Sequence, residues 1–257
     1  TAEQIQSAAN KFITLDNARI VVTGKGRDVM EPLEKIEYNG KSIPVLYYDK
    51  YANKVEKPDY SISIPEGVTA TSILEKYIEA IGGTTKVNAI QSLKLVYEAE
   101  AMGSKIKIEE KRTAENFAQT TYMNDNPMRR VVAKGDELFM KQSGNKVPLP
   151  PDMIQDMKSV MGIFPEQGIL AGGTGKLAGI EKVEGKEAYK IDVSGKIVQA
   201  SFYYDVETGL KIKETSVINL GGQTQNQETL IKDYKEVDGI MFPAAKSSTF
   251  GPQILES

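Results

Sequence analysis

The stretch EGKEAYKIDVSGKIVQASFYYDVETGLKI, Glu184 to Ile212, decides how this chain folds. Turn signals at Glu184-Gly185-Lys186, Ser194-Gly195-Lys196 and Thr208-Gly209 cut it into short segments. Tyr189, Ile191 and Val193 alternate with polar residues, and Leu210 and Ile212 flank a lysine. A period of two with one wet side means antiparallel strands that bury a single face. The rhythm continues in both directions. Ile106 and Ile108 alternate in the same way, and turns are expected at Gly103-Ser104, Asn124-Asp125-Asn126-Pro127, Gly135-Asp136, Ser143-Gly144-Asn145, Gly221-Gly222 and Asp238-Gly239. About ten such strands make a single sheet large enough to curl.

A one-faced sheet needs a cover. Two helices are available. Ser72-Ile73-Leu74-Glu75 reads as a capping box, with Ile73, Leu74, Tyr77, Ile78 and Ile81 as an apolar face closed by Gly82-Gly83. After Pro148, Pro150 and Pro151, the stretch Met153 to Phe164 spaces Met153, Ile154, Met157, Val160, Met161 and Phe164 along one face of a second helix. Methionine is flexible and polarizable, so this helix suits either a core seal or an adaptable wall against an apolar ligand. The prolines before it and Gly168, Gly172, Gly173 and Gly175 behind it suggest a lid on a mobile connector.

The first sixty-odd residues read differently, as mixed α and β. Thr1 and Gln4 have capping-box spacing, and Ile5, Ala8, Ala9 and Phe12 form an apolar stripe behind them. A chain opening on a helix cap without an initiator Met predicts a piece of a longer protein. Residues 18–23 (ARIVVT) suit a buried strand, Val29 to Ile36 a short helix containing Pro32, and Val45 to Asp49 a further strand. Lys57-Pro58-Asp59 reads as linker. The expected division is therefore 1–65 and 66–257.

Composition narrows the chemistry. The 257 residues carry 32 Lys+Arg against 35 Asp+Glu, for a net charge of −3, and lack histidine, cysteine and tryptophan. No Ser-His-Asp triad, cysteine nucleophile, disulfide or zinc site of the His/Cys type can be assembled from it. Carboxylates suit Ca²⁺ or Mg²⁺ only where they cluster. No basic stripe marks a nucleic-acid partner, and no run reaches the roughly eighteen apolar residues of a membrane span. The N-terminus lacks the basic start and apolar core of a signal peptide.

Other motifs dissolve on inspection. Residues 171–177 (AGGTGKL) hold Gly175-Lys176 of a phosphate loop, but Leu170 stands at its first glycine and Leu177 at its Ser/Thr. Gly24-Lys25-Gly26 lacks the third glycine of a dinucleotide fingerprint, with Val29 in its place. Glu109 and Glu110 are neighbours on a strand, point to opposite faces and cannot share a proton or a metal, so both read as solvated charge. Catalytic and metal-ligating residues are therefore expected to be absent from this chain.

Two resemblances add to this reading. Residues 2–26, with "KFITLDNARIVVTGKG", resemble the closing segment of insulinase/pitrilysin-like zinc peptidases. That family's H-x-x-E-H motif lies in an earlier lobe, so the resemblance implies zinc only upstream and a parent that is either an active peptidase or a non-catalytic subunit. From Ser72 onward, "ILEKYIEAIGG", "FYYDVETGLKIKE" and "DYKEVDGIMFP" resemble the envelope domains related to outer-membrane lipoprotein carriers of Bacteroidetes-type bacteria. This implies a curved antiparallel half-barrel whose apolar concave face is covered by helices, within an α+β protein of the periplasm or envelope. The partners so implied are the rest of a parent peptidase and an apolar ligand, acyl chain or lipoprotein. A docking module without a small ligand, or a peptide added at a sheet edge, stays open beside it.

Overall fold

The computed structural model describes residues 1–12, 19–24, 26–57, 63–101, 103–135, 137–147, 149–158, 160, 162–250 and 253–257. The chain divides into two compact units, Thr1–Tyr60 and Ser61–Ser257.

The first unit holds helices α1 (Ala2–Phe12) and α2 (Gly26–Glu34) and two small hairpins, β1 (Glu37–Tyr38) with β2 (Lys41–Ser42) and β3 (Tyr47–Tyr48) with β4 (Lys54–Val55). The Thr1 box forms: Gln4 N–H donates to Thr1 Oγ1 at 3.4 Å and the Thr1 amine to Gln4 Oε1 at 2.8 Å. The expected strand over 18–23 does not. Residues 13–18 lie outside the described residues, and 19–23 have no strand partner among the described residues, with Ile20, Val21 and Val22 exposed. β-branched propensity is no substitute for a neighbouring strand. The expected strand over 45–49 shortens to β3, whose Tyr47 hydroxyl donates to the Glu34 carboxylate that Lys57 also holds at 2.7 Å.

The second unit begins with α3 (Ala70–Ala80) and α4 (Thr84–Ala89), followed by a meander β5 (Leu93–Ala101), β6 (Ser104–Arg112), β7 (Asn116–Met123), β8 (Asn126–Lys134), β9 (Glu137–Gln142) and β10 (Asn145–Val147). Helices α5 (Pro151–Lys158) and α6 (Pro165–Gly172) intervene. A second meander follows: β11 (Gly175–Val183), β12 (Lys186–Ser194), β13 (Val198–Asp205), β14 (Lys211–Leu220), β15 (Gln223–Val237), β16 (Ile240–Phe250) and β17 (Gln253–Glu256). All pairings are antiparallel between sequence neighbours, giving sheets of six and seven strands in place of the single sheet expected. Their outer strands β5 and β17 run close together, so the two form one open curved wall. The protein is of the α+β class, mostly antiparallel sheet.

The turns behave as read. Asn124-Asp125, Ser143-Gly144, Glu184-Gly185, Gly221-Gly222 and Asp238-Gly239 hold positive φ at both positions, the tight-hairpin geometry that matches strand twist. Bulges in β7–β8, β11–β12, β13–β14 and β15–β16 bend the strands.

The helices need two corrections. The box at α3 is Thr69 with Ser72, each side chain taking the other's N–H, so the helix starts three residues before the expected cap. The methionine helix also breaks. Instead of running from Met153 to Phe164, α5 stops at Lys158 and α6 starts afresh at Pro165. Phe164 precedes a proline, which disfavours helical backbone, and sits at φ −113°, ψ 136°. The glycines read as a mobile connector are built into the fold. Gly168 and Gly172 lie inside α6, and Gly173 caps it in the left-handed region. At Gly175 a Cβ would stand 2.9 Å from Ile169 Cγ2 and 3.1 Å from Ile191 Cγ2.

Candidate functional site

The helices cover the inner face of the wall in two parts that are built very differently. Over the seven-stranded sheet, α3 lays Ile73, Leu74, Tyr77 and Ile78 against Tyr189, Ile191, Val193, Phe202 and Tyr204, and α6 adds Ile169. Fifteen buried apolar side chains among the described residues form this cluster. Over the six-stranded sheet, α5 packs on a smaller cluster whose buried members among the described residues are Val131, Ala133 and Leu138, while Tyr97 and Ile106 of the same sheet are buried apart from it. Phe117, Met140, Leu149, Met153, Ile154 and Met157 are half-buried around the cluster, and α5 itself has no buried residue.

This separates the six residues expected to line one helix face. Met153, Ile154 and Met157 meet the six-stranded sheet. Val160 and Phe164 join the other core, where Phe164 stacks on Phe242 with ring centroids 5.7 Å apart. Met161 lies outside the described residues. The break at Gly162–Pro165 is the reason, since it swings the following residues toward the second sheet.

Helix α5 is held to the second sheet by its polar side. The Asp156 carboxylate accepts the N–H groups of Lys196, Ile197 and Val198 at 3.0, 2.7 and 2.9 Å, and Asp152 pairs with Lys196 at 3.0 Å. Burial opposes the Asp156 charge. The three N–H groups and the Lys196 charge outweigh it and hold its carboxyl below the ordinary range. Gly195 makes room: a Cβ there would lie 2.3 Å from Asp156 Cγ.

Between the two apolar parts runs a line of inward charges. On β6, Glu110 pairs with Arg112 at 2.5 Å, and Gln119 donates to its other oxygen at 3.4 Å. Burial opposes the Glu110 charge, but Arg112 and then Lys246 hold it ionised and its carboxyl low. Glu109, on the other face, pairs with Lys94 at 3.7 Å. The opposite-face reading of the two acids is therefore right, whereas Glu110 is a buried ion-pair member and not solvated charge.

On β14, Lys211 reaches Glu166 of α6 at 3.0 Å and Glu214 at 3.4 Å, and Tyr204 donates to the same Glu166 oxygen at 2.8 Å. Glu166 and Lys211 have 0% and 6% of their side chains exposed. Burial works against the ammonium, but the two carboxylates overcome it and raise its pKa. Burial likewise opposes the Glu214 charge, and Lys211 and Lys246 lower its pKa. Burial pushes the Tyr204 and Tyr77 hydroxyls well up, and Glu166 adds to it. Such a network, sealed in low dielectric, fixes the geometry of α6 on the sheet more than it adds stability.

The alternation Leu210/Ile212 implied an outward Lys211. A bulge explains its inward position: Tyr203 pairs with Lys213 and Tyr204 with Lys211, so Ile212 is the extra residue and packs behind the sheet with Tyr203. Glu110 and Arg112 were more legible, as they continue the phase of Ile106 and Ile108. Glu166 had no signal, lying among residues read as connector. Among the described residues no three acidic side chains come together as metal ligands, and no helix is long and apolar enough to cross a membrane.

A cleft of about 380 Å³ opens at the end of β6–β8, its walls including Leu93, Phe117, Val132 and Ala133. Phe117 and Ala133 belong to the α5-covered cluster, so this cleft adjoins the loosely sealed part.

No family model matches the chain and no curated protein matches it, so the resemblance of residues 2–26 to peptidases gains no support. Among solved structures, the chain is similar to a LolA superfamily protein from Nitrosomonas europaea, at 13% identity over 74% of this chain and 90% of that one, with a TM-score of 0.45. It is also similar to a DUF1329 family protein from Desulfovibrio piger, at 11% identity, 73% and 88% coverage and a TM-score of 0.41. The Mycobacterium tuberculosis lipoprotein LppX follows at 16% identity, 61% and 92% coverage and a TM-score of 0.25.

Proposed function

We propose that the second unit binds an apolar ligand, an acyl chain or lipoprotein-borne lipid, under α5 on the inner face of the six-stranded sheet. The observation that carries this reading is the contrast in sealing. A helix presenting Met153, Ile154 and Met157, none of them fully buried, packs on a cluster with three buried members among the described residues, while the neighbouring cluster under α3 and α6 has fifteen. Methionine adapts to varied apolar shapes, and half-buried side chains give way at little cost. Helix α5 is tethered by carboxylates to a turn of the other sheet, so it can lift without unfolding the α3/α6 core.

In the same reading the unit works in the periplasm or envelope, attached to a peptidase through the N-terminal segment. The resemblance of that segment is what supports the attachment. No catalytic step is assigned to this chain.

Organic extraction and mass spectrometry of the natively purified chain test the ligand. A stoichiometric lipid, or saturable binding of a fluorescent fatty acid that Met157→Glu abolishes without lowering the melting temperature of the α3/α6 core, is expected. A chain that carries no lipid and takes up none refutes the reading.

A further inference from the structure

The outer face of the six-stranded sheet carries a charge pattern that folding alone does not favour. Residues directly opposite on neighbouring strands share a face, and like charges so placed repel. Here Lys94 stands opposite Lys111, and Lys141 stands between Arg130 on one side and Lys146 on the other. Glu110, Arg112, Val131 and Ala133 point inward, which puts Lys111 and Arg130 outward. Lys94 is paired with Glu109. Lys111, Arg130, Lys141 and Lys146 are exposed and have no carboxylate within 4.0 Å among the described residues.

The other sheet supplies the contrast. On its outer face Lys190 pairs with Glu181 at 3.1 Å and Lys213 with Glu228 at 2.7 Å, flanking Tyr203. The six-stranded sheet also sets Glu98 opposite Lys107, Glu100 opposite Lys105 and Glu137 opposite Lys134, so its cation-against-cation contacts are concentrated at Lys111, Arg130, Lys141 and Lys146.

The six-stranded face also has relief and apolar surface. A groove of about 360 Å³ is lined by Lys111, Arg130, Lys141, Tyr122 and Met128 together with Glu109, the carboxylate that Lys94 pairs with. Met128 and Val96, on the same side, are 40% and 46% exposed. Lysine ammonium groups lie over rings, Lys107 Nζ at 4.6 Å from the Tyr122 centroid and Lys146 Nζ at 5.7 Å from that of Phe139. Unpaired cations spread across several strands, interleaved with apolar side chains, match a surface of phosphate groups with hydrocarbon just beneath it.

We infer that this outer face docks on an anionic lipid bilayer, with Lys111, Arg130, Lys141 and Lys146 meeting lipid phosphates. The inference does not depend on an apolar ligand occupying the inner face.

Co-sedimentation of the full chain with phosphatidylcholine vesicles, with and without phosphatidylglycerol, tests it. Binding is expected only to the phosphatidylglycerol vesicles, and it should vanish near about 1 M salt, where screening acts within about 3 Å. Lys111→Glu/Lys141→Glu replaces three repulsive contacts by attractive ones. It should therefore fold with an unchanged or raised melting temperature while losing vesicle affinity at least about tenfold. Lys182→Glu/Lys235→Glu changes net charge equally at exposed sites of the other sheet and should retain affinity. Equal binding to neutral vesicles, equal loss in both double variants, or capture of polyglutamate but not of vesicles would each overturn the inference.

Discussion

The two sheets of the second unit have similar size and the same simple meander, yet they meet their surroundings in opposite ways. The seven-stranded sheet is closed inside by α3 and α6, with Tyr77, Tyr204, Ile81, Ile169 and Ile191 almost wholly buried, and Lys190 and Lys213 on its outer face are paired with carboxylates. The six-stranded sheet is covered by one helix without a buried residue, and on its outer face Arg130, Lys141 and Lys146 stand side by side with no ion pair among the described residues. The densest packing and the best-matched charges thus gather on one sheet, and the lighter cover and the facing cations on the other.

The largest expected effect lies at the polar joint of the anchoring half. Lys211→Met leaves Glu166 and Glu214 without their shared cation and should cost about 3–5 kcal/mol in denaturant unfolding. Leu74→Ala, 2% exposed on α3, should cost about 3 kcal/mol, whereas Met157→Ala beneath α5 should cost about 1 kcal/mol because the site is half-open already. Equal losses for these two would dissolve the distinction between the halves.

A smaller effect tests the tether. Gly195→Ala forces a Cβ into the Asp156 carboxylate and should destabilise by about 2 kcal/mol. Hydrogen exchange should speed up in α5 while α3 stays protected. The smallest is pH-dependent. The Asp156 carboxyl titrates below its ordinary 3.8 in the folded chain, so its contribution is complete above that pH and fades as pH falls through the lowered native value. Asp156→Asn should therefore cost about 1 kcal/mol at neutral pH, a gap that closes in acid. A gap that persists undiminished at low pH would show that the side chain acts there through shape alone.

Strand alternation and turn chemistry were legible because they are local. Tyr189, Ile191 and Val193 face the core as their period requires, and the paired turn residues adopt the hairpin geometry their types favour. Position Glu110 was legible in principle, since a charge in the phase of Ile108 must face inward. Lys211 was not: one bulged residue reverses the facing of everything beyond it. The methionine stripe misled for a related reason. Spacing shows which residues share a face only while the helix continues, and Pro165 ends that continuity after Lys158.

Composition excluded histidine and cysteine chemistry, with it zinc sites of the His/Cys type, and periodicity set the antiparallel class; both follow from residue type and near neighbours alone. The division into two sheets, the Glu166–Lys211–Glu214 joint and the cation rows of the outer face came only with the tertiary structure. Those features depend on strand register and on which distant segments meet, and register is set by the balance of all the pairings at once.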